Sequence, residues 1–360
     1  MEEATYVIAA GGTGGHIFPG IALAREILAR RPGARVVFVG AAVGLETRLV
    51  PAAGFPVETV AATGFAGKRL GERIASLATV PRGVRQARRL LKRLAPRAVV
   101  GVGGYPSVPV VLAARSLGIP TLVHELDARP GIANRFLARL ATRVTVGSEA
   151  AAGRLPGRPV VTGNPLRPEF LRAAPPDPAR PPRRVFVLGG SQGAAAINRA
   201  MTEAASVLEG EGVEVLHQTG EKWLEKVRQG YGRLPAGWRL EAFVEKPFEA
   251  MAWCDLTVCR AGALTVAELA AAGRPALLVP LATSTRGHQL ENAREVERAG
   301  AAVVLEEKDL TGASLAAAVR GLLADPDRLR RMGQEARRRA RPDAAGRLAD
   351  LLFSIERPAA

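Results

Sequence analysis

Twice in this chain a short apolar run ends in a cluster of glycines and then gives way to a helical pattern. The first is Tyr6–Ala10 followed by Gly11-Gly12-Thr13-Gly14-Gly15-His16; the second is Val185–Leu188 followed by Gly189-Gly190-Ser191-Gln192-Gly193-Ala194. Glycine reaches positive φ at no steric cost and lets backbone N–H groups approach a ligand closely. The helix N-terminus adds partial positive charge, so each junction forms an anion site suited to phosphate. A third glycine turn, Gly101-Val102-Gly103-Gly104, follows another apolar run and continues as Tyr105-Pro106-Ser107. One such loop is a weak signal. Three of them at strand ends in a repeated plan are a strong one.

The plan repeats along the whole chain. Tyr6–Ala10, Val36–Gly40, Ala98–Gly101, Thr121–Val123, Val144–Val146 and Val160–Val161 read as strands, with helical patterns at Ile21–Arg31, Ile74–Leu94 and Ala133–Leu140. A stretch dense in proline and arginine, Arg172–Arg184, interrupts them and reads as a linker. The alternation restarts with Val185–Leu188, Glu214–His217, Leu256–Cys259, Ala276–Val279 and Ala302–Leu305. Strands alternating with helices predict an α/β chain of two Rossmann-like, doubly wound parallel sheets. The expected division is residues 1–163, a linker over 164–182, and residues 183–340. A break at Arg341-Pro342 precedes a last amphipathic segment, 342–357. Two tandem sheets imply a cleft between domains, where ligands usually bind.

Composition narrows the function classes. With 360 residues, 48% hydrophobic and 23% charged, the chain can bury two full cores. Its longest apolar runs, such as Pro275–Leu281, are too short to cross a bilayer, and the acidic Met1–Tyr6 start is unlike a signal peptide. Only Cys254 and Cys259 are present, so no disulfide framework is indicated. The net charge of +16 suits a nucleic-acid binder, but aromatic residues make up 4% and no recognition motif interleaves rings with basic residues. The charge is also clustered. From Lys68 to Arg93 stand Arg69, Arg73, Arg82, Arg85, Arg88, Arg89 and Lys92 against the single acid Glu72, with Leu70, Ile74, Leu77 and Val80 at near-helical spacing. A solvated helix face and a docking surface for anionic lipid headgroups both fit that pattern.

The loops also exclude chemistry. Neither is G-x-x-x-x-G-K-[ST] nor G-x-G-x-x-G with an acid about twenty residues on, which disfavours ATP hydrolysis and NAD chemistry. No His/Cys/carboxylate clustering suggests a metal. Asp325-Pro326-Asp327 has the spacing of an acid pair but lies between two helical patterns, where it reads as a turn with a helix cap. In the second half, Arg260-Ala261-Gly262 leads from the strand Leu256–Cys259 into a helix beginning Ala263-Leu264-Thr265-Val266-Ala267-Glu268. Its amides can face a phosphate, and Glu268 can accept from both hydroxyls of a ribose; a solvent-facing helical glutamate is the plainer alternative. The polar loop Thr283–Gln289, leading to Asn292, offers groups for sugar hydroxyls or for capping.

Together, GGTGGH near the start, GGYPS, HELD at His124–Asp127, GNPLR at Gly163–Arg167, GGSQGA and CRAGALTVAE resemble the MurG family. These are N-acetylglucosaminyltransferases of peptidoglycan synthesis that act on lipid I. The motifs span most of the chain in the family's order. The resemblance implies the glycosyltransferase-B fold, with an acceptor domain first, a UDP-sugar domain second and the final helix returned onto the first. It implies UDP-N-acetylglucosamine as donor, contacted by Arg167, Ser191, Gln192, Gly193, Val244, Ala263 through Glu268, Gln289 and Asn292. Val244 reads uracil through its backbone, Glu268 holds the ribose, and Ser191 with the helix amides meets the diphosphate. Thr13, Gly14, Gly15 and Asp127 complete the donor side. Gly14 and Gly15, with Gly103, Gly104, Tyr105 and Ser107, face the acceptor's diphosphate. No metal or other cofactor is required.

The chain departs from the family in three places. Asp127 stands where the family has an amide that touches the sugar. Glu245-Lys246-Pro247 replaces the acidic pair usual after the uracil strand, and the loop before Gln289 lacks the usual acids.

The mechanism expected is direct, inverting transfer from UDP-N-acetylglucosamine to the muramyl sugar of a lipid-linked muramyl-pentapeptide. His16 is the first candidate base, at a helix start that favours its neutral, proton-accepting form, and Glu125 is the reserve; phosphate binding or capping by His16 is the alternative. The lipid acceptor gives the Lys68–Arg93 cluster a role against anionic membrane lipids, with the enzyme peripheral on the cytoplasmic face of the membrane. Two rivals stand beside this reading. A UDP-N-acetylglucosamine epimerase of the same fold acts on the sugar nucleotide alone. A basic nucleic-acid-binding protein shows salt-sensitive binding without a UDP site; the paired glycine loops and Glu268 speak for no nucleic acid partner.

Overall fold

Each apolar run that reads as a strand forms one, and each sheet is parallel throughout. The structure, a computed structural model, describes residues 4–63, 70–173, 180–190, 192–284 and 287–358, with only the backbone of 70–78. The chain divides into two compact units, Met1–Arg167 with Arg341–Ala360, and Pro168–Ala340.

The first unit runs β1 (Thr5–Ala9), α1 (Gly14–Arg30), β2 (Arg35–Ala41), α2 (Glu46–Ala52), β3 (Val57–Val60), α3 (Leu70–Leu94), β4 (Ala98–Gly101), α4 (Ser107–Ser116), β5 (Thr121–Glu125), α5 (Ile132–Leu137), β6 (Arg143–Val146), α6 (Glu149–Ala152) and β7 (Val160–Val161). The second follows with a 3₁₀ turn, Pro168–Arg172, then β8 (Arg184–Leu188), α7 (Ala195–Gly210), β9 (Glu214–Gln218), α8 (Leu224–Tyr231), β10 (Arg239–Glu241), α9 (Pro247–Trp253), β11 (Leu256–Cys259), α10 (Ala263–Ala272), β12 (Ala276–Leu278), α11 (His288–Arg298), β13 (Ala302–Val304), α12 (Gly312–Leu323) and α13 (Pro326–Arg338). The last helix, α14 (Ala344–Ile355), belongs to the first unit.

Among the described residues the first sheet has the order β3-β2-β1-β4-β5-β6-β7 and the second β10-β9-β8-β11-β12-β13. In both, the chain moves outward from the first strand, returns to its other side and moves outward again. The order therefore reverses between β1 and β4, and again between β8 and β11. Ligands of such sheets bind outside the carboxyl ends of the strands at that reversal. The strands flanking it are the ones that end in Gly11–Gly15, Gly101–Gly104, Gly189–Gly193 and Arg260–Gly262. The motifs fall on both switch points.

Burial explains why the inner strands are legible. Tyr6 to Ala9, Val99 to Val100 and Val185 to Val187 are fully buried, with helices on both faces. In α1, Ile17, Ile21, Ala24 and Ile27 recur at helical spacing and share one core with Phe38 and with Leu348, Ala349 and Leu352 of α14. The buried Leu348 and Leu352 each contribute about 2 kcal/mol. Arg31 ends α1 because the residue before a proline, here Pro32, is held out of the helical region.

Three expectations are corrected. The first helix starts at Gly14, not Ile21: Pro19 lies inside it, just past the first turn, and removes one intrahelical bond. Two strands were unforeseen, β3 and β10. Both are sheet edges with polar residues (Glu58, Thr59; Arg239, Glu241), so neither reads as an apolar run. The expected linker over 164–182 begins instead with an ordered turn: Phe170 is fully buried and meets the Phe248 ring edge-on at 6.1 Å. Asp325 caps α13 by accepting from Arg328 N–H at 2.8 Å, and Pro326 follows at the first turn.

Candidate active site

In the first unit, β1 runs through Gly11–Thr13 into α1. The N-cap Thr13 is extended and its side chain caps nothing, which leaves the first amides of the helix to be satisfied by another group. Instead the Thr13 hydroxyl pairs with His16 Nδ1 at 3.1 Å. The His16 ring edge lies against Gly103, where a Cβ would collide with Cδ2. Gly104, at φ +75°, packs on the Gly11 carbonyl with no room for any side chain, and the Tyr105 ring covers Gly12. The first and third glycine loops are thus one packed structure. His16, Gly14, Gly15, Gly103, Gly104 and Tyr105 are brought together.

Ser107 is not offered to a ligand. It is fully buried, and its hydroxyl donates to Gly103 O at 2.7 Å and Ala9 O at 3.0 Å, fastening the third loop to the end of β1. Its expected contact with the acceptor diphosphate is replaced by this internal role.

Behind the same loop lies a residue the sequence did not announce. Glu46 is 1% exposed; its carboxylate accepts from Gly12 N–H at 3.1 Å and from Ala41 N–H at 2.9 Å. Gly11, Gly40 and Gly44 surround it, each without space for a Cβ. Burial and the Glu46 charge raise the Tyr105 hydroxyl above its usual pKa. One amide of the loop is therefore already occupied by an anion of the protein itself.

Glu125, at the end of β5, is buried. Its Oε1 accepts from Asp127 N–H at 2.9 Å, and its Oε2 accepts from Gly131 N–H at 3.1 Å and Asn134 Nδ2 at 3.0 Å. Burial, then the Asp127 charge, push its pKa up to about 7 against those hydrogen bonds. With both oxygens so engaged it organises the loop 126–131. Asn134 also donates to His124 O at 3.2 Å, while its own Oδ1 is buried and accepts no hydrogen bond among the described residues. Arg167 places its guanidinium 5.2 Å from the Phe18 ring of α1 and belongs to the first unit.

The second unit repeats the strand, glycine loop and helix with different backing. Gly190 and Gly193 both adopt φ +73°, and Gly193 N–H turns back to Gly190 O at 3.1 Å. Ser191 lies outside the described residues, and Gln192 is exposed. The N-caps of α7 and α10, Ala194 and Gly262, make no side-chain cap bond. In α10, Ala263 to Ala267 are half-buried and Glu268 is buried, so the solvent-facing alternative for Glu268 is set aside. Asn292 donates to Ala261 O at 3.0 Å and Gln289 accepts from Leu281 N–H at 3.0 Å. The Asn292 side chain holds the segment that leads into α10, and the Gln289 side chain holds the backbone at Leu281. Val244 N–H donates to Gln218 Oε1 at 3.1 Å.

Each unit also holds a buried histidine. His217 Nε2 meets Asn198 Oδ1 at 3.0 Å, and Asn198 Nδ2 donates to Thr219 O at 3.0 Å. The Asn198 oxygen accepts, so His217 carries its proton on Nε2, and Nδ1 accepts from the Tyr231 hydroxyl at 2.8 Å. His124 does the same through Asn164, whose Nδ2 donates to Leu126 O at 3.2 Å. Burial lowers His124 to about 4 and His217 to about 3. Each fastens the loop that follows its strand. None of Glu46, Asn134, Asn198 or Gln218 carried a motif; a buried amide or acid next to a loop has no local pattern. Among the described residues no cluster of His, Cys, Asp and Glu could hold a metal ion.

Two doubly wound parallel sheets, each with a glycine-rich strand end and a helix start at its switch point, have the architecture of the glycosyltransferase-B fold. The glycosyltransferase family 28 N-terminal domain matches residues 6–146 and the family 28 C-terminal domain residues 184–348. A Halorhodospira halophila protein named UDP-N-acetylglucosamine--N-acetylmuramyl-(pentapeptide) pyrophosphoryl-undecaprenol N-acetylglucosamine transferase is 46% identical, over 99% of both chains. The crystal structure of Acinetobacter baumannii MurG superposes with a TM-score of 0.77 at 31% identity, covering 98% of this chain and 100% of that one. The chain belongs to the MurG family. A Listeria monocytogenes structure described as a UDP-N-acetylglucosamine 2-epimerase, at 16% identity and a TM-score of 0.69, shares the fold alone.

Proposed function

We propose that this enzyme transfers N-acetylglucosamine from UDP-N-acetylglucosamine to the muramyl sugar of lipid-linked muramyl-pentapeptide, with inversion. The observation that carries the reading is the pair of switch points, each with a glycine loop and an uncapped helix start. The second unit takes the donor: the α7 and α10 amides face the diphosphate, Glu268 the ribose, and Val244 the uracil. Since Val244 N–H is held by Gln218, its carbonyl is the group that accepts from uracil N3–H. The first unit takes the acceptor's diphosphate on Gly14, Gly15, Gly103, Gly104 and Tyr105.

In the reaction the acceptor hydroxyl oxygen attacks the anomeric carbon, and the bond from that carbon to the phosphate oxygen breaks. The electron pair leaves with UDP, whose growing charge the helix amides stabilise, and Arg167 adds a cation. The hydroxyl proton passes to His16, which the engagement of both Glu125 oxygens favours as base. His16→Ala tests this. The expected kcat at saturating substrates falls about 100-fold or more with UDP binding retained; near-normal turnover removes His16 from the chemistry.

The same reading makes the enzyme a peripheral protein of the cytoplasmic membrane face, docked on anionic lipids through α3. No helix among the described residues is long and apolar enough to cross a membrane. Of the basic cluster, Arg82, Arg85, Arg89, Lys92 and Arg93 are exposed, although Arg93 pairs with Glu58 at 2.6 Å, while Lys68 and Arg69 and the side chain of Arg73 lie outside the described residues.

A further inference from the structure

In the second sheet β9 lies between β10 and β8, so its carboxyl end adjoins the loops of both neighbours. The last residue of β9 is Gln218, which is 2% exposed. Its main chain reaches one neighbour: Gly189, first of the glycine loop, donates its N–H to Gln218 O at 2.9 Å. Its side chain reaches the other. Past the end of β9, pairing continues through Thr219 N–H to Glu241 O at 2.9 Å and Gly220 N–H to Ala242 O at 3.0 Å. Val244 lies beyond that ladder and is itself buried, and a buried N–H without a partner is costly. Gln218 Oε1 accepts it at 3.1 Å. One residue thus sets the separation of two loops on either side of its own strand.

We propose that Gln218 is the positioning residue of the donor site, fixing the base-reading segment at Val244 relative to the diphosphate loop at Gly189–Gly193. The inference rests on the donor assignment above and adds a residue with no direct role in that chemistry. A nucleoside diphosphate must satisfy both loops at once, and the spacing between them is what Gln218 holds. The Asn198–His217 pair fastens the adjacent Thr219 carbonyl on the main-chain side of the clamp, while on the other side the ladder reaches Ala242 and Gln218 holds the Val244 N–H beyond it.

The test is steady-state kinetics and UDP calorimetry on Gln218→Met, which keeps length and loses the acceptor, beside Gln218→Glu, which keeps an acceptor oxygen. A lost hydrogen bond of ordinary size predicts a KM for UDP-N-acetylglucosamine about tenfold higher in Gln218→Met. The kcat changes less than KM, the acceptor KM is unaltered, and Gln218→Glu recovers most of the donor KM. A general structural role predicts instead a parallel loss of kcat and both KM values, and that result overturns the proposal. So does an unchanged or lower donor KM in Gln218→Met, the lower value meaning that the glutamine competes with the base. If Gln218→Met does not fold, a Gln218→Glu protein as impaired as Gln218→Ala in UDP binding overturns it equally. Wild-type protein that fails to bind UDP sinks the donor assignment itself, a separate outcome.

Discussion

The two glycine loops share their place at the switch point of a doubly wound sheet, each leading from a strand into a helix, yet they are backed by opposite chemistry. Behind Gly11–Gly15 lies the buried carboxylate of Glu46, already bonded to Gly12 N–H. Behind Gly189–Gly193 lies a neutral lattice of Gln218, Thr219, Asn198 and His217. For charges about 6 Å apart at an effective dielectric of about 20, repulsion amounts to about 3 kcal/mol. A phosphate beside the first loop therefore binds more weakly than one beside the second, other contacts being equal. The difference matches the proposed roles. The donor's diphosphate is the leaving group and gains charge in the transition state, whereas the acceptor's diphosphate takes no part in bond making and must be released with its lipid.

The sharpest way to break this comparison is a matched pair of glycine substitutions. Gly104→Ala drives a methyl into the Gly11 carbonyl at φ +75°, and Gly220→Ala drives one into the Gly193 backbone at φ +85°. Strain of this kind costs about 1–3 kcal/mol, so each raises the KM of its own substrate about tenfold or more. Gly104→Ala should impair the lipid acceptor and spare UDP-N-acetylglucosamine; Gly220→Ala should do the reverse. If both variants lose the same substrate, the loops are not divided as proposed.

Glu46→Ala sharpens the same contrast through stability, with a smaller effect on substrate binding. It leaves the buried Ala41 N–H and the half-buried Gly12 N–H without their acceptor, a loss on the order of 2 kcal/mol in stability. Denaturant unfolding should show that loss while calorimetry shows UDP affinity unchanged. A parallel fall in UDP affinity would mean that the carboxylate serves both loops.

The smallest effects are in pH dependence, and their signs differ between the units. Glu125 has its folded pKa raised from 4.5 to about 7. Its contribution to stability is fully present below the unfolded value and is lost as pH rises through about 7. His217 is lowered from 6.5 to about 3; its contribution is present above the unfolded value and is lost as pH falls toward about 3. Between about pH 7.5 and pH 5, wild type should gain stability relative to Glu125→Gln and lose it relative to His217→Gln. Urea unfolding at the two pH values checks both signs, and a pH-independent difference in either pair contradicts the assigned burial.

Much of this comparison was legible in the sequence, and the part that was not has a physical reason. Inner parallel strands such as Val185–Leu188 are buried on both faces and read as apolar runs. The glycine clusters were visible because backbone geometry requires the residue type itself. Two of the four edge strands escaped notice, since Val57–Val60 and Arg239–Glu241 carry polar residues, whereas the apolar edges Val160–Val161 and Ala302–Val304 were legible. The backing of the loops escaped too. Glu46 and Gln218 look like surface residues in sequence, and only packing reveals that three glycines shelter the first and a sheet end the second. Ser107 shows the converse: a hydroxyl beside a glycine turn invites a ligand contact, yet burial turns it inward.

The most direct measurement is a crystal structure of the enzyme with UDP bound. The account predicts the diphosphate against Gly190, Gly193 and the first amides of α10, with the ribose at Glu268. A diphosphate seated instead on Gly12–Gly15, beside Glu46, would contradict it.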